Sequence, residues 1–405
     1  MKFNEKFKDN RIIKDLFQYL GYECLKELFL DCDGDPKLGR EIIDSLFSND
    51  KDDFDISDLI TFPKKDSSVA HLNNGAFGRA YDASLKLSIQ LRLFAEQNPD
   101  LFYDQLLMPL LKHSYSVCSD FFGLADNEKC LLVPNCTMGM KAIMDKLLIT
   151  KPGQKPFEGS KMKQLQDNQD QMINVGYLSP IYGATKNLLK SYQTDYPSRI
   201  NVVDIVPKNF LFQEDPDEIL KAIDQAVMRC NGHLSILMCD EIASQTGRIL
   251  PLMKIAEFCE KKNIILVVDG TQSFDFDRNK MEKVDYWIMS THKWLANVKT
   301  CGVIMWRGCS VDYPNPPAVS FGYFNENIQD KFLWTGMMDS YISYITLAKT
   351  LKMQQKYGKL QAVHASALLL EGMKQILQVE PLLEMKGKPM NLKVLRCINY
   401  RFLLC

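Results

Sequence analysis

Seven short apolar runs recur along the chain: CLLVPN (130–135), MINVGYLS (172–179), INVVDIV (200–206), LSILMCDEI (234–242), NIILVVD (263–269), DYWIMS (285–290) and CGVIMW (301–306). Their apolarity is continuous rather than alternating, which is the pattern of strands buried on both faces. Helical stretches separate them, so the connections read as crossovers. The pattern predicts an α/β fold with a large, mostly parallel sheet flanked by helices.

Helical patterns also lie outside this region. IIKDLFQYLGYECLKELFL, within residues 1–60, places apolar residues at three-to-four spacing and reads as an accessory amphipathic helix. Residues 85–115 and 340–380 repeat the helical period. The polar stretch 151–171 reads as a long surface loop or an inserted helix. The expected organisation is a helical extension at 1–70, a large α/β domain at 71–345 and a partial small domain at 346–405.

Composition narrows the function classes. Forty-nine Lys and Arg balance 50 Asp and Glu, for a net charge of −1, so nothing argues for a nucleic-acid or anionic-membrane partner. Twelve cysteines are scattered with no CxxC pair and no Cys/His set at zinc spacing, so no metal site is expected. They read as reduced thiols in a cytosolic protein. The polar start MKFNEKFKDNR lacks the apolar segment of a signal peptide, and no apolar run reaches the length of a membrane span. The expected compartment is the cytoplasm.

The chemistry centres on two strand ends. Asp269 closes the run NIILVVD, and DYWIMSTHKWL carries Lys293, 24 positions later. Ligands of open α/β sheets bind beyond the carboxyl ends of the strands, so an acid and an amine meet in one crevice. A lysine after a strand is usually a solvated surface residue, and a strand-end Asp is often a helix cap. Joined with SxHK, the following Trp294 and the DGxQ of 269–272, they point instead to pyridoxal-phosphate (PLP) chemistry. There a lysine forms an imine with the cofactor aldehyde, and a carboxylate keeps the pyridine nitrogen protonated. No GxxxxGK[ST] and no GxGxxG follows a strand, which excludes the P-loop and Rossmann alternatives.

The chain resembles the class V aminotransferase-type PLP enzymes of fold type I. Within them it is most similar to the isopenicillin N epimerase-like group, which includes C–S lyases acting on cysteine derivatives. HLNNGAFG (71–78), EQNPDLF (96–102), VPNCTMGM (133–140), SPIYGAT (179–185), ASQTGRILPL (243–252) and LWTGMMDSYISY (333–344), together with the lysine segment, follow the family's motifs in order. The resemblance implies fold type I, with a seven-stranded mixed sheet, a PLP cofactor, an amino-acid substrate and a homodimer.

It also implies roles by position. Cys136, Thr137 and Met138 form the phosphate-binding turn at a helix N-terminus. Tyr182 stacks on the pyridine ring, Gln272 and Ser244 face the phenolic oxygen, and Ser290 and His292 reach the phosphate. Asn73 and Asn74 line the substrate entrance. Two positions depart from the family. Its "WTGT" threonine is Met337 here, with Thr335 as a partial substitute for the phosphate contact. Its "RxS" strand, source of the arginine that grips the substrate carboxylate, has no counterpart after about residue 385, so the chain reads as atypically ended. The leading expectation is an enzyme acting at Cα or Cβ of an amino acid as lyase, epimerase or transaminase. The alternative is a catalytically impaired isoform or PLP-binding scaffold. A cysteine desulfurase is disfavoured, because the segment between Cys309 and the WTG motif holds no cysteine to act as its mobile nucleophile.

Overall fold

The computed structural model describes residues 74–358, apart from 98, 125–127, 150–159, 168–171, 209, 211–214, 274–279, 281 and 334–340. The expected N-terminal helix, Asn73, Thr335, Met337 and the chain end beyond 358 lie outside the described residues.

Each of the seven apolar runs forms a strand: β1 (Glu128–Val133), β2 (Ile173–Leu178), β3 (Ile200–Ile205), β4 (Ile236–Asp240), β5 (Ile265–Asp269), β6 (Tyr286–Ser290) and β7 (Gly302–Arg307). They make one sheet in the order β1-β7-β6-β5-β4-β2-β3. The pairs from β6 to β3 are parallel. Strand β7 runs antiparallel to both its neighbours. The sheet is therefore mixed and mostly parallel, as expected.

Among the described residues seven longer helices surround it: α1 (Asp82–Gln97), α2 (Leu107–Phe122), α3 (Cys136–Leu148), α4 (Gly183–Asp195), α5 (Pro216–Arg229), α6 (Leu252–Lys261) and α7 (Tyr341–Met353). Successive strand residues feed two separate cores. Ile236 and Met238 of β4 pack with Ile143 and Met144 of α3 and Leu189 of α4. Leu237 and Cys239 pack with Leu110 of α2, Ile223 of α5, Ile255 of α6 and Tyr344 of α7. Helices on both faces explain why these runs show no alternation, and each fully buried Leu, Ile or Met contributes about 1.5–3 kcal/mol.

Local chemistry sets the helix ends. Asn135, in extended conformation, caps α3 by accepting the Met138 amide at 2.9 Å. Pro216 opens α5 behind an Asp215 cap. Gly123 closes α2 at φ 61°, in the left-handed region that suits glycine. The expected domain boundary at 345/346 falls inside α7, a continuous helix whose Ile345, Leu347 and Leu351 enter the same core as the sheet. In the polar stretch 151–171, Lys161–Asp167 is helical. Among the described residues no helix is long and apolar enough to cross a membrane.

Candidate active site

The site follows from strand parity. Side chains alternate between faces, so a terminal residue shares the face of the residue two before it. Asp240, Asp269 and Ser290 end β4, β5 and β6. Each shares the parity of Met238, Val267 and Ile288, which lie in the core beneath α3. All three polar side chains therefore leave the sheet on the side of α3. Its N-terminus is anchored above them: the Cys136 thiol lies 3.0 Å from the Thr271 hydroxyl, and the Ser290 hydroxyl donates to the Cys136 sulfur at 3.3 Å.

Asp269 is buried, and its Oδ1 accepts the Thr271 amide at 2.9 Å. Burial pushes its carboxyl above the ordinary carboxylate range, while Thr271 and the Lys293 cation pull the other way. Lys293 is half-buried, and its Nζ lies 5.9 Å from the centre of the Tyr182 ring. Tyr182 stands at the N-cap of α4 and is 46% exposed, so one ring face borders the crevice. His292 is held below its usual pKa by burial and by the cations of Lys293 and Lys299, so it is neutral at neutral pH. Burial and the nearby Asp269 push the Cys136 thiol up to about 12.

The lysine loop is braced from two sides. Asn297 donates to the Ser343 carbonyl at 2.9 Å, and the Thr346 and Thr350 hydroxyls donate to its Oδ1, both at 3.1 Å, which ties the loop to α7. From the other side Gly78 lies against the loop backbone. A Cβ at residue 78 would stand 2.0 Å from the His292 carbonyl oxygen and 2.6 Å from Lys293 Cα. Lys299 Nζ donates to the Gly78 carbonyl at 2.9 Å.

The structure gathers Cys136, Asp269, Ser290 and Lys293 with Tyr182, and it alters three expectations. Met138 cannot offer its amide to a phosphate, because the Asn135 side chain already accepts it. The first amides of a helix have no partner within it, so Cys136 and the exposed Thr137 present that donor face. The Gln272 side chain is engaged at both ends: Nε2 donates to the Gly75 carbonyl at 2.9 Å, and Oε1 accepts Trp294 Nε1 at 2.8 Å. Its expected cofactor contact is reduced to one remaining N–H. Asn74 caps its own turn by accepting the Arg79 amide at 3.1 Å. Ser244 is half-buried in the turn after β4.

Three residues escaped the sequence reading. Thr271 holds Asp269 and Cys136 together, and Gly78 seats Lys293. Asp240 is a second buried strand-end acid. Only Asp240 carried a usable signal, since it satisfies the strand-end criterion that singled out Asp269.

The family model for aminotransferase class-V matches residues 211–312, the span that contains Asp240, Asp269 and Lys293. This segment is similar to the class V aminotransferases. Among curated relatives, hercynylcysteine sulfoxide lyase of Schizosaccharomyces pombe is 22% identical over 262 residues, 64% of this chain and 59% of that protein. Isopenicillin N epimerase of Amycolatopsis lactamdurans is 29% identical over 110 residues, 27% of each. The chain thus spans under two thirds of the length of the curated relatives it matches. The cystine C–S lyase C-DES, solved with its reaction product cysteine persulfide, superposes with a TM-score of 0.58 at 18% identity, covering 76% of this chain and 79% of that one. Another structure of C-DES carries glycine covalently linked to the PLP cofactor. At that identity the likeness shows a shared fold, a mixed α/β fold as expected from the sequence.

Proposed function

We propose that the chain is a PLP-dependent enzyme acting at Cα and Cβ of an amino acid, with C–S lyase chemistry on a cysteine derivative. One observation carries this reading: a half-buried lysine and a buried carboxylate occupy neighbouring strand ends below a helix N-terminus, with an aromatic ring at the lysine. The residues match the cofactor group by group. Lys293 offers an amine to the aldehyde, and Asp269 offers a carboxylate to the ring nitrogen. Tyr182 offers a ring face, and the α3 N-terminus with Ser290 and neutral His292 offers donors to the phosphate. The lyase-named relatives support the choice of reaction. The absence of cysteine from 310–333 argues against a desulfurase.

PLP, when bound, supplies an aldehyde carbon for the substrate amine and a ring that accepts electrons. Lys293 would hold the group by its aldehyde and would serve as the general base for the Cα proton. Asp269 would pair with the ring nitrogen and favour a proton there. Tyr182 covers a ring face and excludes water from it. The Lys293 ammonium then returns its proton to the sulfur leaving Cβ. Eight described cysteines carry no disulfide, which supports a reducing, cytoplasmic setting. Phe321 and Phe324, 86% and 89% exposed, support burial against a second copy.

Titration with PLP tests the reading. Wild type gains a visible absorbance band and, after borohydride, a stable adduct on Lys293. Lys293→Ala gains neither. A folded wild type that forms no adduct would refute it and leave the scaffold alternative.

A further inference from the structure

Asp240 plays no part in the chemistry above. It ends β4 at 3% exposure; the Tyr182 and Ser244 amides approach its carboxyl and favour the charged form, but neither oxygen has a partner in good hydrogen-bond geometry. It is the register partner of Asp269 in the parallel β4–β5 pair, so the two side chains leave adjacent strand ends on one face. Other charges are few around it. Lys293 reaches in from the loop after β6, and Tyr182 and its amide lie after β2, beside the Ser244 amide after β4. On β2, Tyr177 shares the face but turns its hydroxyl to Asp204. Glu241 and Cys239, the chain neighbours of Asp240, have the opposite parity, and Glu241 is paired with Lys280 at 2.7 Å and with Ser273.

A buried carboxylate with no well-formed hydrogen bond takes up a proton rather than stay charged, and two adjacent carboxyls cannot both ionise freely. Burial and the Asp269 charge push the Asp240 carboxyl well above the ordinary carboxylate range. Asp269 is raised too, but the Thr271 hydroxyl and amide favour its charged form. The proton therefore settles on Asp240.

We propose that Asp240 is a second acidic residue of this site: it shares one proton with Asp269, holds that proton itself, and as a positioning residue keeps Asp269 the charged partner of the cofactor nitrogen. Only the last clause rests on the PLP reading. The unit then carries one proton and one negative charge, the charge on the oxygens nearest Thr271.

The pair is tested on the full chain without cofactor, by the urea midpoint between about pH 5 and pH 9, around and above the unfolded carboxylate pKa. A folded pKa raised above the unfolded value gives stability that is present at low pH and lost as pH rises through the folded pKa. The wild-type midpoint should fall with rising pH. Asp240→Asn, neutral throughout, should remove most of that fall and exceed wild type at alkaline pH. A merely structural role would shift the midpoint equally at all pH values, and parallel curves overturn the proposal. Infrared spectra of wild type need no variant: a protonated carboxylic C=O band at neutral pH, shifting in D2O, is expected, and its absence overturns the proposal. PLP titration separates the two readings. Adduct formation with parallel curves sinks the pair alone. Converging evidence for the pair without an adduct sinks the cofactor reading alone.

Discussion

Replacing Gly78 with alanine tests how the lysine is positioned. The added Cβ would meet the His292 carbonyl oxygen at 2.0 Å and Lys293 Cα and carbonyl oxygen at 2.6 Å. Non-bonded atoms settle at about 3.5–4.0 Å, so the two segments must part by roughly 1 Å or more. All three atoms are backbone, so no side chain can rotate out of the way. Overpacking of this kind costs about 1–3 kcal/mol. Parting the segments also strains the Lys299 and Gln272 bonds to the Gly78 and Gly75 carbonyls, each about 1 kcal/mol. A displacement near 1 Å at a reacting group slows chemistry by about a hundredfold. Gly78→Ala should therefore lower the urea midpoint and slow borohydride trapping of PLP on Lys293 by about that factor. Gly183→Ala is the control: a Cβ there meets nothing within 4 Å at the start of α4, and alanine gains at most about 1 kcal/mol. Wild-type trapping and stability in Gly78→Ala would refute the claim that close backbone contact seats the lysine.

Three further outcomes are expected. Trp294→Phe removes the donor to the buried Gln272 Oε1 and should cost about 1–3 kcal/mol in chemical denaturation, with faster proteolysis around residues 74–79. Lys161→Met removes the cation at 2.9 Å from Asp285, whose side chain is 0% exposed; Arg307 at 3.1 Å still compensates the charge, so the cost should be about 1–3 kcal/mol, whereas Lys254→Met, at an exposed pair, should leave the midpoint unchanged. Iodoacetamide at pH 8 should label exposed Cys309 well before Cys136 by peptide mass spectrometry, because a thiol at about 12 is only about 10⁻⁴ thiolate there. Equal labelling of the two would show that Cys136 is not held in the crevice beside Asp269.

The strands were legible because burial on both faces writes an unbroken apolar run, and each run became a strand with ends moved by two residues at most. Their order was not legible. An apolar run carries no direction, so β7 reads like its neighbours although it runs against both. The position of α7 was equally hidden. Its core contacts join it to α1 and α2 across more than two hundred residues, as in the 2.8 Å bond between Ser84 and Thr350. Gln272 shows the same limit at the site. Its sequence setting suggested a cofactor contact, but its amide is tied to Gly75, 197 positions away.

Strand parity explains which residues of the crevice can act together. Cys239, Val268 and Met289 stand one position before Asp240, Asp269 and Ser290, and all three lie in the opposite core. A slip of one residue in any of these strands would trade a polar terminal group for an apolar one and bury the acid among α2, α5 and α7. The register therefore fixes the chemistry. Parallel pairing of β4 with β5 sets the two carboxyls side by side, and pairing of β5 with β6 brings Lys293 around the next strand end. The helix that covers this face must begin, not end, above it, since only a helix N-terminus offers free amides and positive potential to an anion. Helix α3 does so because Asn135 caps it beside Thr271 and Ser290. A carboxylate cluster would repel a phosphate placed directly on it. The dipole of α3 offers a phosphate a separate place, so a ligand with an anionic end and a basic ring nitrogen is oriented by electrostatics before Lys293 touches it.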